Sequence, residues 1–329
     1  MRGKVLVTGG AGYIGSHVVK QLGERGEQVL VLDNLSTGFA DAVLYGQLIV
    51  GDTGDSALVD RLIEEHNVEA VLHFAAKTIV PESVADPLKY YGNNTAATLS
   101  LLKCCQRHKV RHFIFSSTAA VYGLPEAGRA TESSATQPIN PYGTSKLLSE
   151  LMLRDLCQAS DMRAVVLRYF NVAGCDPAGK IGQSTKSATL LIKVACEVAL
   201  GKRPHLTVYG TDYPTPDGTG VRDYIHVHDL AAAHLAAIDY LREGGTTTTL
   251  NCGYGHGYSV RQVIEAVNRN HGRDIMVVED ARRLGDPPSL VSDIEKIRAT
   301  LKWTPSYDDL DKIVQTSLAW EHKLAARQS

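Results

Sequence analysis

Seven residues near the N-terminus limit the fold more than any other stretch. Gly9-Gly10-Ala11-Gly12-Tyr13-Ile14-Gly15 follows a short apolar run, Lys4–Thr8, and opens a helix-length segment, Gly12–Glu24. It satisfies G-x-G-x-x-G at Gly10, Gly12 and Gly15, and also G-x-x-G-x-x-G at Gly9, Gly12 and Gly15. Glycines at this spacing let a chain turn sharply from strand into helix. They also let a pyrophosphate approach the helix N-terminus, where the N–H groups stabilise its charge. Asp33 ends the next apolar run, Gln28–Asp33, roughly 20 residues beyond the last glycine. A carboxylate there accepts from a ribose 2′-hydroxyl and repels a 2′-phosphate, which selects NAD over NADP.

The rest of the first half keeps the same alternation. Leu48–Gly51, Ala70–Ala75, His112–Ser116 and Ala164–Arg168 are short runs rich in Val, Ile, Leu and Phe and read as buried strands. Asp55–His66, Asp86–His108 and Asn140–Ser160 are helix-length. Parallel neighbours need crossover connections, so the expected fold is α/β, a Rossmann-type doubly wound parallel sheet. After Asn171 the pattern loosens into turns, with helices expected at Ala188–Leu200, His228–Leu241 and Asp308–Leu324. Strands are expected at Thr247–Asn251 and Ile275–Val278. We expect residues 1–171 to form the dinucleotide-binding domain and 172–329 a smaller C-terminal α/β substrate lobe, with some later chain returning to the first.

Charge and composition exclude several partners. The net charge is −2, with no basic balance to suggest nucleic acid. No stretch approaches the roughly 20 apolar residues of a membrane span, and the N-terminal apolar run is too short for a secretory signal. Six scattered cysteines without C-x-x-C spacing read as free thiols in a reducing cytoplasm. His226-x-His228 is the one tight histidine pair and lacks any supporting ligand pattern, so no metal is expected.

A second constellation suggests chemistry. Ser116-Ser117-Thr118 ends the fifth strand, and Tyr142 and Lys146 are spaced to share one face of the following helix. A phenol near pKa 10 is a poor base at neutral pH. An adjacent ammonium and a cationic nicotinamide ring favour the phenolate and are expected to lower that pKa. With Thr118 holding a substrate alcohol, the group removes a proton beside a hydride acceptor. Asp52, after the third strand, and Phe74-Ala75-Ala76, ending the fourth, fall on the carboxyl edge where such sheets bind ligands.

With those residues in place, nearly the whole chain resembles the extended short-chain dehydrogenase/reductase family, in its nucleotide-sugar epimerase branch. The resemblance rests on TGGAGYIGSH (8–17), DNLSTG (33–38), HFAA (73–76), FSSTAAVYG (115–123), PYGTSK (141–146), LRYFNVAG (167–174), YGTDYPTPDGTGVRDYIHV (209–227) and LNCGYGHGYSV (250–260). It implies reversible epimerisation at C4 of a UDP-hexose, UDP-galactose or UDP-glucose, through a 4-keto sugar with bound NAD. Tyr142 is then the base and acid, assisted by Lys146 and Thr118. The implied cofactor residues are Gly9, Gly12, Tyr13, Ile14, Gly15, Asp33, Asn34, Asp52, Thr53, Phe74, Ala75, Ala76, Asn94, Tyr142, Lys146 and Tyr169. Thr118, Asn171, Arg222, Arg283 and Asp286 are the implied UDP-sugar contacts. A homodimer through helices 86–108 and 140–160 is implied as well.

Related chemistries remain as alternatives. A UDP-xylose or UDP-N-acetylhexosamine 4-epimerase uses the same steps. A 4,6-dehydratase needs an acid directly after the threonine, where this chain has Ala119 and Ala120. A non-catalytic NAD sensor would not need Tyr142 and Lys146. Two departures from the family pattern stand out. Leu190 lies where relatives carry a polar residue near the diphosphate, and Leu290 lies where the family gates N-acetyl sugars.

Overall fold

In a computed structural model of the protein, describing residues 3–185, 188–283 and 285–327, the apolar runs of the first half become one sheet. Its seven strands lie in the order Thr248–Cys252, Arg163–Tyr169, His112–Thr118, Val68–His73, Lys4–Thr8, Val29–Asp33, Gln47–Val50. Every pairing is parallel. Side chains of a strand alternate between faces, and here both faces are buried. Val5, Val7, Val31, Val165 and Leu167 feed one core, and Leu6, Leu30, Leu32, Ala164 and Val166 feed the other. That two-sided burial is why the strands read as continuous apolar runs.

Helices cover both faces. Tyr13–Glu24 and Val227–Arg242 pack together on the first core, through Val18, Val19, Leu22, Leu230 and Ile238. Ser56–His66, Ala97–Arg107 and Pro141–Gln158 close the second through Val59, Leu62, Leu101, Leu102 and Leu153. The starts of Ser56–His66 and Pro141–Gln158 follow capping chemistry. Asp55 accepts from Leu58 N at 3.1 Å, and Asn140 accepts from Gly143 N at 2.9 Å with Pro141 in the first turn.

The expected long helix over 86–108 is interrupted. Pro87–Tyr90 and Ala97–Arg107 are joined by a wider π-type turn, Tyr91–Ala96. Such turns re-aim a side chain, and here the buried Asn94 bonds the backbone of Lys77.

The second half does not stand apart. Thr248–Cys252 is the outermost strand of the main sheet, paired to Arg163–Tyr169. The first core runs on into Ile192, Val263 and Ile313 without a break. Among the described residues three small sheets complete the fold. One joins Tyr258–Ser259, Val221–Arg222, Ser289–Ser292 and Arg129–Ala130; the others pair Tyr224–His226 with Asn171–Ala173 and Val277–Asp280 with Leu206–Tyr209. The helix Val260–His271 is absent from the expectations above. Its start is nonetheless written in the sequence as a capping box between Ser259 and Gln262.

Leu250 is fully buried in the last-added strand. Leu250→Ala is expected to lower stability in urea unfolding by about 2–5 kcal/mol. A loss below about 0.5 kcal/mol, the scale of a surface substitution, would show that this strand does not belong to the core.

Candidate active site

Lys4–Thr8 is flanked by Val29–Asp33 on one side and Val68–His73 on the other, so chain direction around the sheet reverses there. Open α/β sheets bind ligands at the carboxyl edge beside such a reversal. A cleft of about 510 Å³ lies there. Gly9 adopts φ 71°, and a Cβ on it would lie 2.5 Å from the Ala75 nitrogen. A Cβ on Gly15 would lie 2.2 Å from the Gly9 carbonyl oxygen. The turn is therefore packed backbone on backbone, with the opening of the Tyr13–Glu24 helix facing the cleft.

Asp33 is buried at the end of its strand, and both oxygens are used to shape the loop. Oδ2 accepts from Ala11 N at 2.9 Å and Oδ1 from Leu35 N at 2.8 Å. Each oxygen keeps a second lone pair for a ligand hydroxyl. Asn34 Nδ2 donates to Asp52 Oδ2 at 2.9 Å, which ties the second strand's loop to the third's. Gly12, Tyr13, Ile14, Thr53, Phe74, Ala75 and Ala76 also line the cleft.

At the other end of the cleft, Thr118, Tyr142, Tyr169 and Asn171 come together from three strands and a helix. Thr118 Oγ1 accepts from Ala120 N at 3.1 Å, so its hydrogen is left to donate into the cleft that it lines with Tyr142. Ser116 Oγ donates to the Tyr169 hydroxyl at 3.0 Å. Burial raises the Tyr142 phenol above its ordinary value, and the neighbouring Thr118 hydroxyl pulls the other way.

The expected lowering of Tyr142 by Lys146 is not what the protein groups produce. Lys146 is buried behind the cleft wall. Its Nζ donates to the Ser116 carbonyl at 2.7 Å and lies 4.8 Å from the Phe115 ring centre. Burial pushes its own pKa down to about 7, opposed by the Glu150 carboxylate.

Asn94 also lies behind the wall rather than in it. Its amide is consumed by Lys77 N at 2.8 Å, Lys77 O at 2.9 Å and Ser145 Oγ at 3.0 Å.

Arg222, Arg283 and Asp286 form a separate group beyond the cleft lining. Arg222 Nη2 lies 2.5 Å from Asp286 Oδ1. The Arg283 guanidinium sits 3.8 Å from the centre of the Tyr209 ring. Leu290 bridges the two regions, since it lines the cleft and pairs with Arg222 across the small sheet. Leu190 lines the cleft as well. His226 and His228 face no ligand set: the His226 ring accepts from His228 N at 3.0 Å, and no metal-competent group occurs among the described residues.

Several cleft residues escaped the motif reading, among them Lys77, Thr78, Gln183 and Thr185. Lys77 and Thr78 follow directly on the fourth strand, so their place on the carboxyl edge was a usable signal. Gln183 and Thr185 lie in an irregular loop far along the chain, and nothing local marks them.

Residues 5–253 match the NAD dependent epimerase/dehydratase family. The chain is 52% identical over 322 residues to UDP-glucose 4-epimerase of Azospirillum brasilense, covering 98% of this chain and 92% of that one. The crystal structure of UDP-glucose 4-epimerase from Brucella ovis in complex with NAD superposes with a TM-score of 0.94 at 45% identity, covering 97% of this chain and 98% of that one. The Bifidobacterium longum enzyme in complex with NAD+ and UDP gives a TM-score of 0.92 at 40% identity, covering 97% and 98%. On its glycine turn, its sheet and these likenesses, the chain belongs to the NAD dependent epimerase/dehydratase family.

Proposed function

We propose that the protein interconverts UDP-galactose and UDP-glucose by inverting C4 of the hexose through a 4-keto sugar, with NAD bound throughout. One observation carries this reading. Thr118 and Tyr142, from a strand end and a helix, lie together in the wall of a cleft that also holds the glycine turn and Asp33.

The residues fit NAD. A cleft of about 510 Å³ suits one elongated ligand. Gly9, Gly12 and Gly15 line the cleft at the start of the Tyr13–Glu24 helix, where N–H groups suit a pyrophosphate, and Asp33 keeps lone pairs for ribose hydroxyls. In this reading residues 1–171 hold the dinucleotide, with Asn34, Asp52 and Thr53 on its adenosine side and Phe74, Ala75, Ala76 and Tyr169 along its length. Residues 172–329 hold the UDP-sugar. Bound NAD+ supplies a hydride acceptor for C4 and returns the hydride once the sugar is a ketone.

The chain's own groups do the rest. Tyr142 takes the O4 proton and later gives it back, while Thr118 orients the alcohol. Lys146 stabilises the phenolate through the strand end it is bonded to. Arg222 and Arg283 present guanidinium groups suited to diphosphate oxygens, Asp286 accepts from Arg222 and from ribose, and Asn171 faces the cleft at its Thr118 end. Grip at the nucleotide and room at the hexose let the keto sugar turn over.

We also propose a homodimer in the cytoplasm. Val84 and Leu88 are 64% and 78% exposed, and Leu99 and Leu148 are exposed on neighbouring helices. An apolar face of this kind fits a second copy of the same helices. No helix of the described residues is long and apolar enough to cross a membrane. The six unpaired cysteines are what a reducing compartment preserves.

Tyr142→Phe is expected to cut turnover of UDP-galactose by about 10²–10⁴-fold while the dinucleotide released on denaturation stays at the wild-type level. Turnover equal to wild type would sink the reading. Asp33→Asn removes one acceptor, so one loop N–H loses its partner. NAD affinity, followed by quenching of protein fluorescence, should weaken about tenfold, and unchanged affinity would remove Asp33 from the site. Leu88→Asp should convert a sedimenting dimer into a species of 35.6 kDa; a wild-type protein already of that mass would rule the dimer out.

A further inference from the structure

Tyr142, Lys146 and Glu150 are spaced to recur along one face of the Pro141–Gln158 helix. All three meet the same strand end. Tyr142 lies with Thr118 in the cleft wall, Lys146 bonds the Ser116 carbonyl, and Glu150 accepts from the Ser117 hydroxyl. The first two contacts belong to the site already described, and the third does not.

Glu150 is gripped from beyond. Arg168 Nε lies 3.1 Å from each of its carboxylate oxygens and Nη2 lies 2.6 Å from Oε2. Arg168 Nη1 donates to the Tyr122 hydroxyl at 3.1 Å, and that hydroxyl donates to Asn251 Oδ1 at 2.6 Å. Asn251 Nδ2 donates to the Ala130 carbonyl at 2.8 Å. Ala130 pairs with Ser292, in the strand that carries Leu290 into the cleft. Every side chain in this chain of bonds is buried. A buried ion pair is often no more stabilising than well-packed apolar residues of the same volume. Stability alone is therefore a weak reason for placing one beneath the strand end that bears Thr118.

We propose that Glu150 is a positioning residue for the reaction. Held by Arg168, its carboxylate fixes the Ser116–Thr118 strand end through Ser117 and keeps a counter-charge beside the Lys146 ammonium. The Thr118 hydroxyl and Lys146 are thereby set around Tyr142. This rests on the epimerase reading above and adds a residue that never touches the substrate.

The surroundings of Lys146 make Glu150 its counter-charge. Tyr142 on the same helix and Tyr169 on the Arg163–Tyr169 strand are buried phenols raised above their ordinary values. His73, on the Val68–His73 strand, bonds Thr8 and Thr98 through its two ring nitrogens and is pushed down to about 3 by burial. All three are neutral near pH 7. Arg168 is cationic and is taken up by Glu150. Loss of the Glu150 charge therefore makes the ammonium harder to keep, and Lys146 gives up its proton at lower pH.

The test measures kcat and KM for UDP-galactose against pH on the full-length enzyme. Glu150→Gln should lower kcat about tenfold or more with KM changed less than about threefold. The alkaline limb of kcat should move to lower pH by about one unit. Glu150→Asp should recover part of kcat and return the limb toward its wild-type place. Folded Glu150→Gln enzyme with unchanged kcat, or with an unmoved limb, overturns the proposal. Should Glu150→Gln fail to fold, Ser117→Ala keeps the ion pair and cuts only its tie to the strand. Its kcat should then fall about three- to tenfold with the limb in place, and a wild-type kcat would overturn the proposal. A wild-type enzyme that does not interconvert UDP-galactose and UDP-glucose would defeat the functional reading itself. An active wild type with indifferent variants defeats only the role given to Glu150.

Discussion

All seven strands of the main sheet run the same way, so their carboxyl ends share one edge. Crossover connections leave that edge as loops, and the loops on the two sides of Lys4–Thr8 diverge. A crevice follows from that divergence alone. The packing of the glycine turn against Ala75 then sets how close a ligand can come to the backbone. Asp33, Asn34 and Asp52 shape the second and third loops by bonding one another and the backbone around them. The opposite wall is built by the fifth strand and the helix that follows it. Proton chemistry and dinucleotide binding are thus two ends of one geometric consequence.

Much of this was legible in the residues. Runs buried on both faces are continuous in hydrophobicity, so the central strands could be read with near-correct limits from Val, Ile, Leu and Phe alone. The turn at Gly9–Gly15, the place of Asp33 at its strand end and the shared helix of Tyr142 and Lys146 were legible because each follows from a fixed spacing. The short strands of the small sheets were not. Arg129–Ala130, Val221–Arg222 and Tyr258–Ser259 are two residues each, too short for any periodicity, and they pair across long sequence separations. The surroundings of Asn94 were illegible for a different reason. Its helix widens locally and spends the amide on Lys77, which no pattern of types reveals.

Electrostatics differed most from expectation. Adjacency on a helix suggested that Lys146 would acidify Tyr142 directly. In the fold the ammonium is drawn to a backbone carbonyl, and burial acts on both groups, raising the phenol and lowering the ammonium. Each shift opposes the charged form of its own group, as desolvation requires. The protein alone therefore holds a neutral phenol at rest.

The position of Thr248–Cys252 has a bearing on biosynthesis. This strand borders Arg163–Tyr169, yet the ribosome releases it only after the whole Leu191–Ala199 and Val227–Arg242 helices have emerged. Until then the nascent sheet ends in an open hydrogen-bonding edge, the kind of surface that recruits stray chains. Truncation before residue 252 would leave that edge permanently bare. Complete translation is in this sense part of the molecule's protection against self-association.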